Sequence, residues 1–500
     1  MAFSIQPGVG LGFMCLGASA HDVLSAIKAD GDRFRAIDVH YSRDEPVTLP
    51  LIITLPLNGI RLRFDGPEQQ LRLIEVIDFK KCRLTYKGSD LVRNHDEGRA
   101  GQGPQFKRIY QLFGASYPGE YVAGASKSRD GTYVLSWMGT AFTFPLRADA
   151  YAPEKDHVSL LGSSAAGPAT HMAIFDGNSW PDVRNDLFVR PCSGPRLSSA
   201  RANLGLPAEV EGASIHLGRG IVELQRRQFT PFSIVINETT PQDLITELGP
   251  PESIHRRSEK TASTQSNTRN RANSSARQVS NGRTPGSQPS SYSSTGTDTF
   301  DTDFESDDMV EDDAQERASR EAFWCYFSHG LDILVGPPSD TPGGLAAKSA
   351  PDSEETPLSM FHHLVVTKVA IHGNIPGSYA FNRHRRLRWG ILGGSIPLKT
   401  GFSSEDKFDV VKSKLIKVFR ASDPTLSEHD MARGKVVNRT WGADPGDSDF
   451  FLPDSGDSGE DLGEASSGSE AWLGNTRLHN FPGIVFEVLE SGAIAGLVVS

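Results

Sequence analysis

Cysteine is scarce in this sequence, and long apolar runs and an excess of positive charge are absent. Its 500 residues include only four cysteines, Cys15, Cys82, Cys192 and Cys325. No two of them are close in sequence, which favours reduced thiols over a disulfide framework. No apolar run approaches the ~20 residues that a membrane-spanning helix needs. These absences predict a soluble, cytoplasmic protein.

The charge balance argues against a protein whose whole surface binds nucleic acid. There are 51 Lys and Arg against 62 Asp and Glu, a formal net charge of −11. The acidic excess is local, because residues 298–316 hold ten acidic residues, residues 443–470 hold nine, and neither range has Lys or Arg. Residues 256–283 instead hold seven basic residues and one acidic residue. Outside these three ranges the chain is expected to be nearly neutral.

Three segments have the composition of disordered insertions, namely 258–320, 336–357 and 422–468. They are rich in Ser, Thr, Gly, Pro or acidic residues and poor in large apolar ones. Such segments bury too little apolar surface to offset the entropy that ordering costs. Helical or strand-like patterns flank each of them, so each is interpreted as an insertion.

The remaining sequence repeats one order of elements, which is a helix, a β-hairpin and a further strand. In the first repeat Ser19 is a candidate N-cap for a helix that ends near Lys28. Ile60, Leu62 and Phe64 then alternate with arginines, as expected of a half-buried strand. The four predicted helices lie within 16–28, 106–114, 239–249 and 404–417.

These repeats predict an α+β fold of four helix-then-antiparallel-meander (αβββ) units. Residues 1–180 are expected to form two units, and residues 181–257 together with 321–500 two more. The first strand of the fourth unit is not evident in the sequence.

No motif predicts catalysis, a cofactor or a metal site. The glycines at 8–12 are not preceded by a strand or followed by Gly-Lys-Ser/Thr, so they indicate a glycine-rich entry to the first helix. Gly-x-Ser-x-Gly, His-Glu-x-x-His and Cys-x-x-Cys are all absent. His362 and His363, with His372 nearby, would point to opposite faces of a strand, which is poor geometry for metal ligation. We therefore expect no enzymatic activity, no catalytic residues and no bound cofactor or metal.

One cluster of basic residues is a candidate recognition site. It consists of Arg383, Arg385, Arg386 and Arg388, beside Trp389. Arginines beside an aromatic residue suit anionic lipid headgroups or an acidic partner. The alternative is a strand with a charged outer face.

Ser306 is a candidate phosphorylation site, because acidic residues flank it on both sides. A phosphate would add about −1.5 to −2 charges to a segment that is already acidic. The alternative is an acidic tract that serves only for solvation.

Many stretches of the chain resemble the phagosome assembly factor 1 family. They include Leu16-Gly, Asp22-Val-Leu24 and the ranges 58–65, 70–76, 113–119, 139–145, 240–250, 326–334, 371–377 and 483–488. The resemblance covers nearly all of the sequence that is predicted to be ordered. It departs from the family at Ala115, where proline is usual, and in the length of 258–320.

The resemblance implies a non-enzymatic scaffold or adaptor of autophagy that gathers at the phagophore assembly site. It also implies a WD-repeat β-propeller partner similar to breast carcinoma amplified sequence 3, with membrane and phosphoinositide contact made mainly by that partner. A second interpretation is a trans-Golgi or endosomal trafficking protein that binds anionic lipid directly through the arginines at 383–388. A third is a hydrolase, which would require a deep pocket of polar residues with shifted pKa values.

Overall fold

The structure is a computed structural model. It describes residues 2–92, 103–124, 130–190, 209–227, 229–256, 321–338, 364–392, 401–425, 427, 431, 433–438 and 475–500. The predicted insertion 258–320, with Ser306, lies outside the described residues. So does most of 336–357 and of 422–468, although the chain from 433 to 438 within the latter is described and contains a strand.

The prediction of an α+β fold is wrong, because the described residues are mostly β-sheet. Strands account for 39% of them and helices for 16%. The strand patterns identified in the sequence are the long, apolar ones. Short strands and strands at sheet edges carry too few apolar residues to show a periodicity, so they were missed and the helices were given too much weight.

The α-helices of the described residues are α1 (Ala20–Ala29), α2 (Phe106–Phe113), α3 (His157–Leu161), α4 (Trp180–Val183), α5 (Pro241–Leu248) and α6 (Phe408–Ser422), and a short 3-10 helix covers Ala148–Ala150. Ser19 caps α1, as predicted, by accepting a hydrogen bond from the backbone N–H of Asp22. Thr240 and Asp243 form a reciprocal capping box at the start of α5.

The strands of the first half are β1 (Ala2–Gln6), β2 (Gly10–Leu11), β3 (Met14–Cys15), β4 (Asp38–His40), β5 (Leu51–Leu55), β6 (Ile60–Phe64), β7 (Leu71–Val76), β8 (Arg83–Tyr86), β9 (Ser89–Asp90), β10 (Glu120–Val122), β11 (Asp130–Trp137), β12 (Thr140–Arg147) and β13 (His171–Phe175). Those of the second half are β14 (Val210–His216), β15 (Ile221–Arg226), β16 (Phe232–Val235), β17 (Ser253–Arg256), β18 (Ala322–Tyr326), β19 (Leu331–Gly336), β20 (Val365–His372), β21 (Arg388–Leu392), β22 (Phe402–Ser403), β23 (Lys435–Asn438), β24 (Asn475–Phe481), β25 (Ile484–Val488) and β26 (Ile494–Val499).

The two halves have the same sheet topology. Each has a five-stranded sheet, in the order β3-β2-β1-β8-β9 in the first half and β16-β15-β14-β21-β22 in the second. Each also has an eight-stranded antiparallel sheet, β10-β11-β12-β13-β7-β6-β5-β4 and β23-β24-β25-β26-β20-β19-β18-β17. The parallel pairs β1·β8 and β14·β21 occupy equivalent places. The fold is therefore an internal duplication of one β-rich unit.

Each half encloses its own hydrophobic core between its helices and its sheets. In the first half the predicted helical stripe of Val23, Leu24 and Ile27 is buried. In the second half Phe408 and Val411 of α6 are buried in the same way. Separate cores mean that the contacts between the halves are made chiefly by turns and connections, which is where the predicted arginines lie.

Candidate functional site at the junction of the two halves

The four predicted arginines lie where the two halves of the chain meet. Three belong to the connection 373–387 between β20 and β21, and Arg388 begins β21. Across from them is the turn 65–70 of the first half, between β6 and β7. We call these two segments, 65–70 and 373–388, the junction.

A buried pair of side-chain amides joins the two segments. Gln69 Nε2 donates to the backbone oxygen of Asn374 at 2.8 Å, and Asn374 Nδ2 donates to Gln69 Oε1 at 2.9 Å. Asn374 Oδ1 also accepts from the backbone N–H of Asn382 at 2.7 Å. Buried amides stabilise a structure only when they are hydrogen-bonded, and these two meet that need across the junction.

Arg386 is the most deeply buried of the four arginines. Its Nε donates to the backbone oxygen of Pro67 at 2.6 Å, and its Nη1 donates to that of Gly373 at 2.7 Å. Burial lowers the pKa of Arg386 to about 10, an effect that the nearby carboxylate of Glu405 opposes. Arg386 therefore stays charged at neutral pH, with partners in both halves.

Arg388 extends this contact as a chain of ion pairs. Its Nε donates to Glu405 Oε1 at 2.8 Å, and its Nη1 donates to Glu68 Oε1 at 3.3 Å. Glu68 also accepts from Arg72 Nη2 at 3.0 Å. Burial raises the pKa of Glu405, but the hydrogen bond and charge of Arg388 together with the charge of Arg386 outweigh it, so the net shift is downward. Alternating charges thus run from one half to the other.

The remaining two arginines lie nearby. Arg385 forms an ion pair with Glu209. The pKa of Asp22 at the start of α1 is lowered although burial raises it, because a hydrogen bond with His21 and the positive charge of Arg385 stabilise the carboxylate. Arg383 is half-buried, and its charge helps to lower the pKa of the adjacent His384. Arg385, Arg386 and Arg388 thus have acidic or carbonyl partners within the chain, while contact with lipid or with an acidic partner stays a prediction.

A cluster of one carboxylate and two histidines anchors the same connection. His372 Nε2 donates to Asp332 Oδ2 at 2.8 Å, and His384 Nε2 donates to Asp332 Oδ1 at 2.9 Å. The two imidazole rings stack at 3.8 Å between centroids, with 10° between their planes. Burial raises the pKa of Asp332. The two histidines lower it by a larger amount, so the net shift is strongly downward. The cluster holds His384, and with it the arginines, against β19 and β20.

Asp332, His372 and His384 are residue types that bind metals, and their ligand atoms lie within 4.8 Å of one another. The ring geometry argues against a metal site. An imidazole nitrogen binds a metal in the plane of its ring, and two nearly parallel stacked planes do not meet near the carboxylate. His384 Nδ1 is also buried without a hydrogen-bond partner, whereas metal-binding histidines almost always have one there. The three residues fit a buried, hydrogen-bonded cluster better than a metal centre.

Excess Zn²⁺ is therefore expected to leave thermal stability unchanged. A ligand that binds only the folded state raises the melting temperature, so the shift should stay below about 1 °C with and without a chelator. Thermal unfolding of the wild type and of Asp332→Asn checks this. A Zn²⁺-dependent rise in the wild type that Asp332→Asn abolishes would contradict it.

Only one weak signal in the sequence points to this cluster. Asp332 interrupts an otherwise apolar strand, and an acid at a buried strand position needs a partner. His372 was considered with His362 and His363, which lie outside the described residues. Nothing in the spacing indicates that His384, in the arginine segment, completes the cluster.

In the part of the chain that the structure describes, no helix has the length and apolarity needed to cross a membrane. Comparison with known proteins shows that the model of the family described as phagosome assembly factor 1 (PHAF1) matches residues 10–279, more than half of the chain. The chain belongs to the PHAF1 family. The junction turn 65–70 lies within the matched region, and the arginine connection lies beyond it.

Relatives in a plant, an insect and a nematode carry the family's name. The chain is 28% identical to a PHAF1 protein of Arabidopsis thaliana over 51% of its own length and 57% of the relative. It is 27% identical to one of Drosophila melanogaster over 78% of its length and 73% of the relative. It is 30% identical to one of Caenorhabditis elegans over 38% of its length and 41% of the relative. No solved structure matches the chain.

Proposed function

We propose that this PHAF1-family chain is a non-enzymatic adaptor in autophagy. It is recruited, together with a β-propeller partner, to the site where the autophagosome forms. Family membership supports the link to phagosome assembly. Recruitment by a partner requires an exposed protein-binding surface, and an apolar groove on the first half offers one.

The groove lies beside β4, the edge strand of the first eight-stranded sheet. His40, Ile52 and Arg63 are cross-strand neighbours on β4, β5 and β6 and form its floor. Leu49 and Tyr41 line it and are 48% and 36% exposed. The groove is open and encloses about 350 Å³.

This groove is the observation that supports adaptor function. Exposed aromatic and aliphatic side chains grouped beside an edge strand are typical of protein-binding surfaces. An edge strand also has unpaired backbone groups that a partner's strand can bind.

One polar arrangement resembles a catalytic triad but has an exposed aspartate. Ser116 Oγ lies 3.1 Å from His157 Nε2, and His157 Nδ1 lies 3.0 Å from Asp156 Oδ1. The Asp156 side chain is 61% exposed and is the sequence neighbour of the histidine. A carboxylate in water gives little orientation or charge stabilisation to the imidazole, in contrast to the buried aspartate of serine hydrolases. This exposure supports a non-enzymatic role.

Direct recognition of anionic lipid has less support from the geometry of the arginines. Arg385, Arg386 and Arg388 would have to give up partners within the chain to contact headgroups. Breaking a buried ion pair costs about 3–5 kcal/mol, which headgroup contacts would have to offset.

Leu49→Asp is expected to lower recovery of the β-propeller partner at least ~10-fold, because it places a charge in the apolar groove. The measurement is affinity purification of the tagged full-length chain from starved cells, followed by quantitative mass spectrometry. Leu57→Asp is the matched control, since Leu57 is similarly exposed at 56% and lies in a turn that does not line the groove.

The outcomes separate the parts of the proposal. Failure of the wild type to recover any β-propeller protein would overturn the adaptor role. Equal recovery by wild type and Leu49→Asp would exclude the groove as the interface. Equal loss with Leu57→Asp would show a general effect of added charge rather than a specific contact.

A further inference from the structure

A second surface, in the other half of the chain, is basic although the protein as a whole is acidic. It is formed by α6 and the two outermost strands of the second eight-stranded sheet. Five exposed cations define it, and we call it the basic edge: Lys414, Lys417, Arg433, Lys435 and Arg477. Asp409 and Asp423 are the acidic residues of the described parts of α6, its C-cap and β23.

The packing of α6 fixes which side chains face outward. Phe408 lies 4.4 Å from the His479 ring of β24, and Phe419 lies 6.0 Å from Phe481, so the opposite face of α6 is turned away from the sheet. Lys414 and Lys417 lie on that outer face, with Val410 of the preceding turn also exposed. Lys414 also extends over the ring of Phe402 in β22, with its Nζ 5.2 Å from the ring centroid.

His479 of β24 lies close to cations of both α6 and β24. Its pKa is lowered to about 4, first by burial and then by the charges of Lys412 and Arg477, with Asp409 opposing them. The cations of α6 and β24 therefore act on the same small region.

The edge strand β23 belongs to the same basic edge. It pairs with β24 on one side, with Lys435 opposite Leu478 and Val436 opposite Arg477. It is the last strand of its sheet, and no described strand pairs with its other side. Val436 is 58% exposed, which leaves an apolar side chain among the cations.

The duplicated fold shows that this charge is not a requirement of the architecture. The equivalent strands of the first half are β10 and β11, with the sequences Glu-Tyr-Val and Asp-Gly-Thr-Tyr-Val-Leu-Ser-Trp. They contain no Lys or Arg, so the strand cations Lys435 and Arg477 have no equivalent in the first half. The helix at the place of α6 is α2, and it carries Lys107 and Arg108. The two basic strands therefore distinguish this edge from the equivalent edge of the first half.

We propose that the basic edge binds an extended, acidic segment of a partner protein, which adds to the sheet beside β23. The strand supplies backbone N–H and C=O groups that such a segment can pair with, and the surrounding cations match its carboxylates. A lipid surface would use the charges and leave the backbone groups unpaired, so the open strand favours a peptide. The surface is remote in sequence from the β4 groove, and its test does not depend on the proposed function.

The test uses the full-length chain and a fluorescein-labelled synthetic peptide of alternating Glu and Val, read by fluorescence anisotropy. Binding should weaken as salt is raised, because exposed ion pairs are screened. The double variant Lys414→Glu, Lys435→Glu should bind at least ~10-fold more weakly. The matched control is Lys28→Glu, Lys80→Glu, which makes the same charge change at exposed first-half positions and should stay within about 2-fold of wild type.

Further measurements distinguish between the ligands that could occupy the basic edge. A peptide N-methylated at alternate residues keeps its charge but cannot pair as a strand on one edge, and it should bind at least ~10-fold more weakly. Equal binding of that peptide would overturn strand addition. Binding of phosphatidylserine vesicles without binding of the peptide would assign the edge to membrane and overturn the proposal. Peptide binding that is seen only after the nine acidic residues of 443–470 are neutralised would show that this acidic segment of the chain itself occupies the basic edge. That result would overturn the proposal as well.

Edge strands often carry lysine merely to block aggregation. If that is the only role of these lysines, neither the wild type nor any variant would bind the peptide. The double variant would also stay as soluble as the wild type, because glutamate keeps a charge on the edge strand. This result too would overturn the proposal.

Discussion

Arg386→Ala is expected to make the two halves unfold separately. The substitution removes the donors to the backbone oxygens of Pro67 and Gly373, of which the second is buried and the first part-buried. A buried acceptor that is left without its donor costs about 1–3 kcal/mol. Because each half has its own core, the loss falls on the junction and not on either half. Urea unfolding followed by far-UV circular dichroism should change from one transition to two, or shift markedly to lower urea.

Two further variants make this test specific. Arg386→Lys keeps the charge but loses the planar guanidinium that reaches both carbonyls, so it should lie between Ala and wild type. Arg219→Ala removes an exposed arginine and should change the free energy of unfolding by less than about 0.5 kcal/mol. A single, unshifted transition for Arg386→Ala would contradict the role that we assign to the junction.

Acidification from pH 7 to pH 4 is expected to destabilise the protein through two buried histidines. Burial lowers the pKa values of His384 and His479 from 6.5 to about 4, with His372 adding to the effect at His384. Between pH 6.5 and 4 the unfolded chain therefore binds protons that the folded chain does not, so stability falls as pH falls. Each histidine contributes up to about 3 kcal/mol to this loss. Asp332 acts in the opposite pH range, since its lowered pKa gives stability that is lost only below about pH 4.

The measurement is the urea midpoint at several pH values between 7 and 4. His479→Leu removes one of the two titrating groups and should reduce the pH dependence by roughly half, because the two shifts are similar. His171→Leu alters an exposed histidine and should leave the dependence unchanged. A wild-type midpoint that does not move over this range would rule out neutral, buried histidines.

The sequence was sufficient to predict the helices and strands that depend only on residues close to one another in the chain. The hairpin strand β6 has apolar residues at every second position, and Ile60, Leu62 and Phe64 are buried as that alternation predicts. The caps of α1 and α5 follow from Ser19 and Thr240, because a helix N-terminus depends on residues within one turn.

Strands stabilised by distant neighbours were missed. β24 reads Asn-Thr-Arg-Leu-His-Asn-Phe, which has no clear apolar alternation, yet it is buried by α6 on one side and paired on both edges. The short strand β8 forms through parallel pairing with β1, some eighty residues earlier in the chain. Such pairing is a tertiary effect that no local pattern records.

The arginine cluster shows the same limit. The run at 383–388 was recognised as a candidate site, but the groups that surround it come from elsewhere. Arg386 meets Pro67 across a separation of 319 residues, and Arg388 meets Glu68 across 320. Composition therefore indicated charge, and only the tertiary structure showed that much of this charge is used to join two halves.

The duplicated topology has an evolutionary consequence. After a gene duplication each copy can change separately, and here the three longest connections between neighbouring strands of the eight-stranded sheets lie in the second copy. The chain runs from 257 to 321 between β17 and β18, from 337 to 364 between β19 and β20, and from 439 to 474 between β23 and β24. The matching connections of the first copy are 41–50, 65–70 and 123–129. The first copy in turn has the longer connection between β12 and β13, 148–170 against 489–493 between β25 and β26. The two copies have thus lengthened at different places between strands while the order of the strands has stayed the same.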